Sequence, residues 1–151
     1  MSSTVAVAPA SRKAKSLLLP ALAAGVALGI VIAAFANFGW VSNDGEHHPG
    51  LNVLISGAVM LAAAGALGWY LNRSLDAASS AAAQTRTLVL GILSLACLPV
   101  FWLGINPVFA AATFVSAAGA SETGPLSTKA KIGAGLAGLT LVVLTVMGLS
   151  M

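Results

Sequence analysis

The chain has 151 residues, 58% of them hydrophobic and only 7% charged, with a net charge of +3 and a mean hydropathy of +0.97. An ordinary soluble domain carries about 25% charged residues, so a soluble fold is excluded. Its basic residues sit beside apolar segments and form no stripe on a polar surface, which excludes a nucleic-acid partner and points to membrane lipids instead.

The charged residues, seven basic and four acidic, all fall in four stretches: 1–16, 39–50, 72–86 and 121–131. Between and after them lie four uninterrupted apolar segments, 17–38, 51–71, 87–105 and 132–151. About 20 apolar residues at 1.5 Å rise per residue match the roughly 30 Å hydrocarbon core of a bilayer. The predicted fold is all-α: one polytopic membrane domain of four transmembrane helices in a small bundle.

Residues 1–16 are rich in Ser, Ala and Val, with Arg12, Lys13 and Lys15 near the first apolar segment. They lack the hydrophobic bulk for a core and read as a disordered tail. Pro20 fits the first turn of a helix starting near Ser16, where a missing backbone donor costs little. Ala34-Phe35-Ala36 resembles a signal-peptide cleavage site, which leaves cleavage after residue 36 as an alternative. The preceding apolar stretch is longer than the usual h-region of about 7–15 residues, which favours an uncleaved helix. The acid-free tail also has the composition of an organellar transit peptide, a weaker reading.

The first loop, 39–50, contains the turn former Asn43-Asp44-Gly45 and then Glu46-His47-His48-Pro49-Gly50, without Lys or Arg. Imidazole and carboxylate groups suit zinc, copper or iron, so Asp44, Glu46, His47 and His48 are the candidate metal ligands. The chain holds no third histidine, so a closed site needs both carboxylates or a second subunit; a solvated loop is the simpler reading. The same histidines also fit a pH-responsive contact.

The second loop carries Arg73 and Arg86, and its Ala-rich middle can extend either flanking helix. With the tail, it puts five basic residues on one side of a four-span topology. The first and third loops have only Lys129 and Lys131, so the positive-inside rule places both termini in the cytoplasm. Trp40, Trp69, Tyr70 and Trp102 fall near segment ends, where amphipathic rings prefer the membrane interface.

The third segment is irregular, because residues 87–120 carry no charge and a continuous helix of that length would outrun the hydrocarbon core. Pro99 predicts a kink within the span, and Asn106-Pro107 is the expected break. Residues 107–120 are then too short to cross and read as a short interfacial or partly re-entrant helix after the third span.

Small residues four apart let helices approach closely in lipid. Gly25 and Gly29 form such a pair, as do Ala64 and Gly68, Gly133 and Ala137, and Ala134 and Gly138; Ala58, Ala62 and Ala66 form a second ridge. These are the expected helix-packing faces, within the chain or to another protein. No ionisable residue falls inside the predicted spans to mark an ion path or proton relay. No catalytic triad or phosphate-binding loop is present in the pattern, so no enzyme is expected, and no cofactor is specified.

The expected function is therefore an accessory or structural subunit of a larger membrane complex, with other integral membrane proteins or itself as partner. The alternatives are a small homo-oligomeric transporter, channel or holin-like pore, and a metal- or pH-responsive protein using the first loop. Ala and Gly richness suggests a bacterial plasma membrane as the location.

Overall fold

The computed structural model describes residues 12–39, 48–77 and 79–149, and among them it is helical without strands. Five α-helices follow one another: α1 Arg12–Gly39, α2 Pro49–Ala77, α3 Ser80–Ala96, α4 Asn106–Glu122 and α5 Thr128–Leu149. A 3-10 turn, Leu98–Leu103, joins α3 to α4. Three stretches are long and apolar enough to cross a membrane, Lys13–Phe38, Pro49–Asp76 and Thr128–Met147, which is compatible with an integral membrane protein.

Side-chain contacts at the two ends of the bundle fix its direction. At one end Lys15 pairs with Asp76, the Ala14 amide donates to Glu122 Oε1 at 3.0 Å, and the Ser127 amide donates to Gln84 Oε1 at 2.6 Å. At the other, Asn37 Nδ2 donates to the Trp102 carbonyl at 3.4 Å, and Ala36, Phe101 and Leu144 form a small apolar cluster. Hence α1, α3 and α5 run in one direction and α2 and α4 in the other.

This five-helix alternation puts the start of α1 and the end of α5 at opposite ends. The charge-free stretch after Thr87 supplies two of the five helices. There α3 ends at Ala96, nine residues before its expected limit, because Pro99 cannot donate into the helix. The Cys97 amide closes the last turn by bonding to the Leu93 carbonyl at 3.0 Å.

The chain then turns through Gly104, whose φ of 64° lies in the left-handed region that glycine adopts without steric cost. Asn106-Pro107, expected to separate the third span from a short helix over 107–120, open α4: proline in a first turn forfeits only an amide that has no helical partner.

The helix so started is the centre of the molecule. Of the 17 residues of α4, eleven are buried, and α1, α2, α3 and α5 all pack against it. At 1.5 Å per residue it runs about 25 Å back along α3. Its Ala, Ser, Thr and Gly side chains explain the position, since a helix without one bulky apolar stripe can be enclosed on every side.

The remaining differences lie at helix ends. Residues 12–16, expected to be disordered, form the first turns of α1, where Ala14 is fully buried and its free amide is capped by Glu122. Pro20 consequently sits inside the helix rather than at its start. α2 continues to Ala77, two turns beyond its predicted end, and buries Leu71 and Leu75. Residues 1–11, where the rest of the expected tail and the start of the signal or transit alternatives fall, lie outside the described residues.

Two backbone crossings hold the bundle at its closest. A Cβ on Gly29 would collide with the Gly104 carbonyl and with Met60 Sδ, and one on Gly133 would collide with the carbonyl of Thr87. Small residues here bring backbones together where burial from water supplies no drive between helices.

Candidate functional site: a polar seam along the central helix

Several of the buried polar side chains, Arg86, Thr87, Ser94, Asn106 and Ser116, collect where α3 meets α4. Near the Lys/Arg-rich end, Arg86 lies six residues into α3 and is only 7% exposed. Its Nε donates to Ser116 Oγ on α4 at 2.9 Å. Ser116 Oγ is also 3.0 Å from Thr87 Oγ1, which donates to the Ala83 carbonyl at 3.0 Å.

One arrangement of protons satisfies all three bonds: Arg86 donates to Ser116, Ser116 to Thr87, and Thr87 to the preceding turn of its own helix. Among the described residues no carboxylate pairs with Arg86; the ion pair present is that of Lys15 with Asp76, at the surface. The Arg86 side chain is thus largely enclosed by the bundle, about 9 Å along α3 from its first residue. Burial of an unpaired cation is costly, and in membrane helices such residues face the protein interior rather than lipid.

At the far end of the same seam, Ser94 and Asn106 bond reciprocally. Asn106 Nδ2 donates to the Ser94 carbonyl at 3.1 Å, and Ser94 Oγ donates to the Asn106 carbonyl at 3.4 Å. Asn106 is fully buried, and its Oδ1 has no partner. Thr113 and Thr140, also fully buried, donate to the Phe109 and Leu136 carbonyls one turn before them, which satisfies each hydroxyl within its own helix.

Of the residues singled out from sequence, the packing set is largely consumed inside the chain. Gly25 meets the Pro107 carbonyl, Gly29 meets Gly104, Gly133 meets Thr87 and Leu88, and Ala137 is fully buried. Gly68 faces Leu22 of α1, and Ala64 packs against the core. Ala134 is half-buried, and the space over Gly138 is open. Asp44, Glu46 and His47 lie outside the described residues, as does Trp40; His48 is exposed just before α2, and its carbonyl accepts from the Asn52 amide at 3.1 Å. The described residues hold no group of three or more His, Cys, Asp or Glu able to share a metal ion.

The polar seam was missed because Arg86 was assigned to a loop. Ser79 is the signal that locates it: its hydroxyl accepts from the Ala82 amide at 3.3 Å and caps α3 at Ser80, which carries Arg86 into the second turn and under Ser116.

Comparison of the chain with protein-family models, with curated proteins and with solved structures finds no match.

Proposed function

We propose that the protein is an accessory subunit of a larger integral membrane complex, docked through the outward face of α2. The observation that carries this reading is the coverage of α2. It is the longest helix of the bundle, yet less of its span is buried by the rest of the chain than in either other long apolar helix. Its outer face exposes Ile55 and Val59 together with the ridge of Ala58, Ala62 and Ala66. Small residues flanked by branched ones suit a close helix–helix crossing. The corresponding motifs of α1 and α5 are mostly occupied within the chain, which leaves this ridge to receive a partner.

The same reading orients the protein. Every Lys and Arg of the chain belongs to the start of α1, the end of α2, or the starts of α3 and α5, which share one end of the bundle. With five passes the positive-inside count becomes seven against none, where four spans gave five against two. That end faces the cytoplasm of, we propose, a bacterial plasma membrane, and α5 ends on the opposite side.

Extraction in mild detergent at native expression, followed by identification of co-purifying proteins, tests the docking claim. A stable membrane partner that is lost from the Ala62→Trp variant is expected. Isolation of the chain alone, with partners expressed, would overturn it.

One observation favours a second reading, that of a small transporter: Arg86 is a buried charge of the kind that marks solute paths. Flux of an anion into vesicles containing the purified chain, abolished in Arg86→Gln, would support that reading over the first. Metal handling by the first loop rests on Asp44, Glu46, His47 and His48 alone, and unchanged bound metal after replacing both histidines by Ala would dispose of it.

A further inference from the structure

α1 and α2 enclose an open apolar groove of about 650 Å³ on the outer surface of the bundle. It runs along α1 from Leu18 to Ile30 and along α2 from Leu61 to Trp69. Thirteen residues of α1 cover about 20 Å at 1.5 Å each, somewhat more than one leaflet of a bilayer whose core is roughly 30 Å thick. The floor is shallow because small side chains line it; at Gly65 an added Cβ would meet nothing within 4 Å.

The two ends of the groove differ. Toward Ile30 and Leu61 it closes among aliphatic residues, midway across the bundle. Toward Leu18 and Trp69 it opens beside the basic end: the Arg73 guanidinium lies 4.6 Å from the Trp69 ring centroid, and Lys15 stands one turn before Leu18 and Leu19 on the facing helix. Lys15 pairs with Asp76, whereas Arg73 has no carboxylate partner among the described residues. The opening therefore carries net positive charge.

From this we infer that the groove binds one chain of an anionic phospholipid of the cytoplasmic leaflet, with its phosphate headgroup held by Arg73. A groove somewhat more than one leaflet long, apolar throughout and cationic at one end, complements a molecule built the same way. The enclosed groove ends at Ile30 and Leu61, shorter than the length along which a partner's transmembrane helix would pack. Trp69 supplies the amphipathic ring that belongs at headgroup depth. The inference depends on the membrane reading and its orientation, not on the docking of α2 to a partner; the ridge of Ala58, Ala62 and Ala66 is turned away from α1.

Native mass spectrometry of the full chain, released from detergent and titrated with dioleoyl phosphatidylglycerol or dioleoyl phosphatidylcholine, tests it. One tightly retained phosphatidylglycerol is expected, with phosphatidylcholine held more weakly. Arg73→Gln should weaken phosphatidylglycerol by about fivefold while leaving phosphatidylcholine nearly unchanged. Gly65→Leu, which fills the groove without touching a charge, should weaken both lipids.

Equal retention of the two lipids by the native chain would overturn the headgroup assignment. Retention unaffected by Gly65→Leu, with helicity by circular dichroism intact, would overturn the groove assignment. A cysteine at Gly65 that cross-links in the membrane to another polypeptide would replace the lipid by a protein helix.

Discussion

Replacing Gly133 by Ala should destabilise the bundle far more than the same change two residues later at Gly135. On Gly133 the added Cβ would lie 2.7 Å from Leu88 Cα and closer still to the Thr87 carbonyl, whereas on Gly135 it would meet nothing within 4 Å. Ordinary van der Waals contact starts near 3.5 Å, so α3 and α5 must part by about 1 Å at their crossing. A gap of that size forfeits a quarter to a half of each atom–atom attraction across the seam, and overpacking of this kind costs about 1–3 kcal/mol.

The control should cost nothing, because Ala is the better helix former by about 1 kcal/mol. Reversible unfolding in mixed micelles of a mild and a denaturing detergent, followed by far-UV circular dichroism, reads both values. If the two variants unfold together, α3 and α5 do not cross at these residues and the packing described here fails.

Three further outcomes follow from particular bonds. Ser116→Ala removes the acceptor of Arg86 Nε and should cost about 1–3 kcal/mol by leaving a buried donor unpaired, whereas Arg86→Met, which removes the charge itself, should cost less. The reverse order in the same unfolding assay would mean that Arg86 contributes through its charge. Glu122→Ala uncaps the Ala14 amide and should cost about 0.5–2 kcal/mol with faster hydrogen exchange at that amide, and unchanged exchange would refute the cap. Lys15→Ala breaks only the exposed pair with Asp76 and should cost less than about 1 kcal/mol; a larger loss would show that this end of the bundle is tighter than its exposure implies.

The helical class and the three long apolar helices were legible because lipid solvation demands runs of apolar residues and gathers charge at their ends. The central helix was legible as a helix over 107–120 but not in its enclosed position. A charge-free run tells how much chain is enclosed but carries no mark of where it reverses, and Pro99 and Pro107 each fit both a kink and a boundary. Only the turn at Gly104 and the reciprocal bonds of Ser94 with Asn106 decide between them.

Arg86 illustrates the opposite difficulty. A basic residue near a helix start reads as a surface flank, and what buries it is Ser116, thirty residues away and invisible to local pattern. The small-residue motifs gave the right chemistry without the address: Gly29 packs on a glycine of the interhelix turn and Gly133 on the backbone of α3, pairings that spacing along one helix cannot specify.

The claim on which the orientation and lipid readings rest is that five helices alternate, with α4 as a full return pass. Single cysteines introduced at Ser80, His48 and Leu149, with Cys97 changed to Ser, can be labelled in intact cells by a membrane-impermeant maleimide. His48→Cys and Leu149→Cys should react from outside, and Ser80→Cys only after permeabilisation. Protection of Leu149→Cys together with Ser80→Cys would put both on one side and contradict the fifth pass.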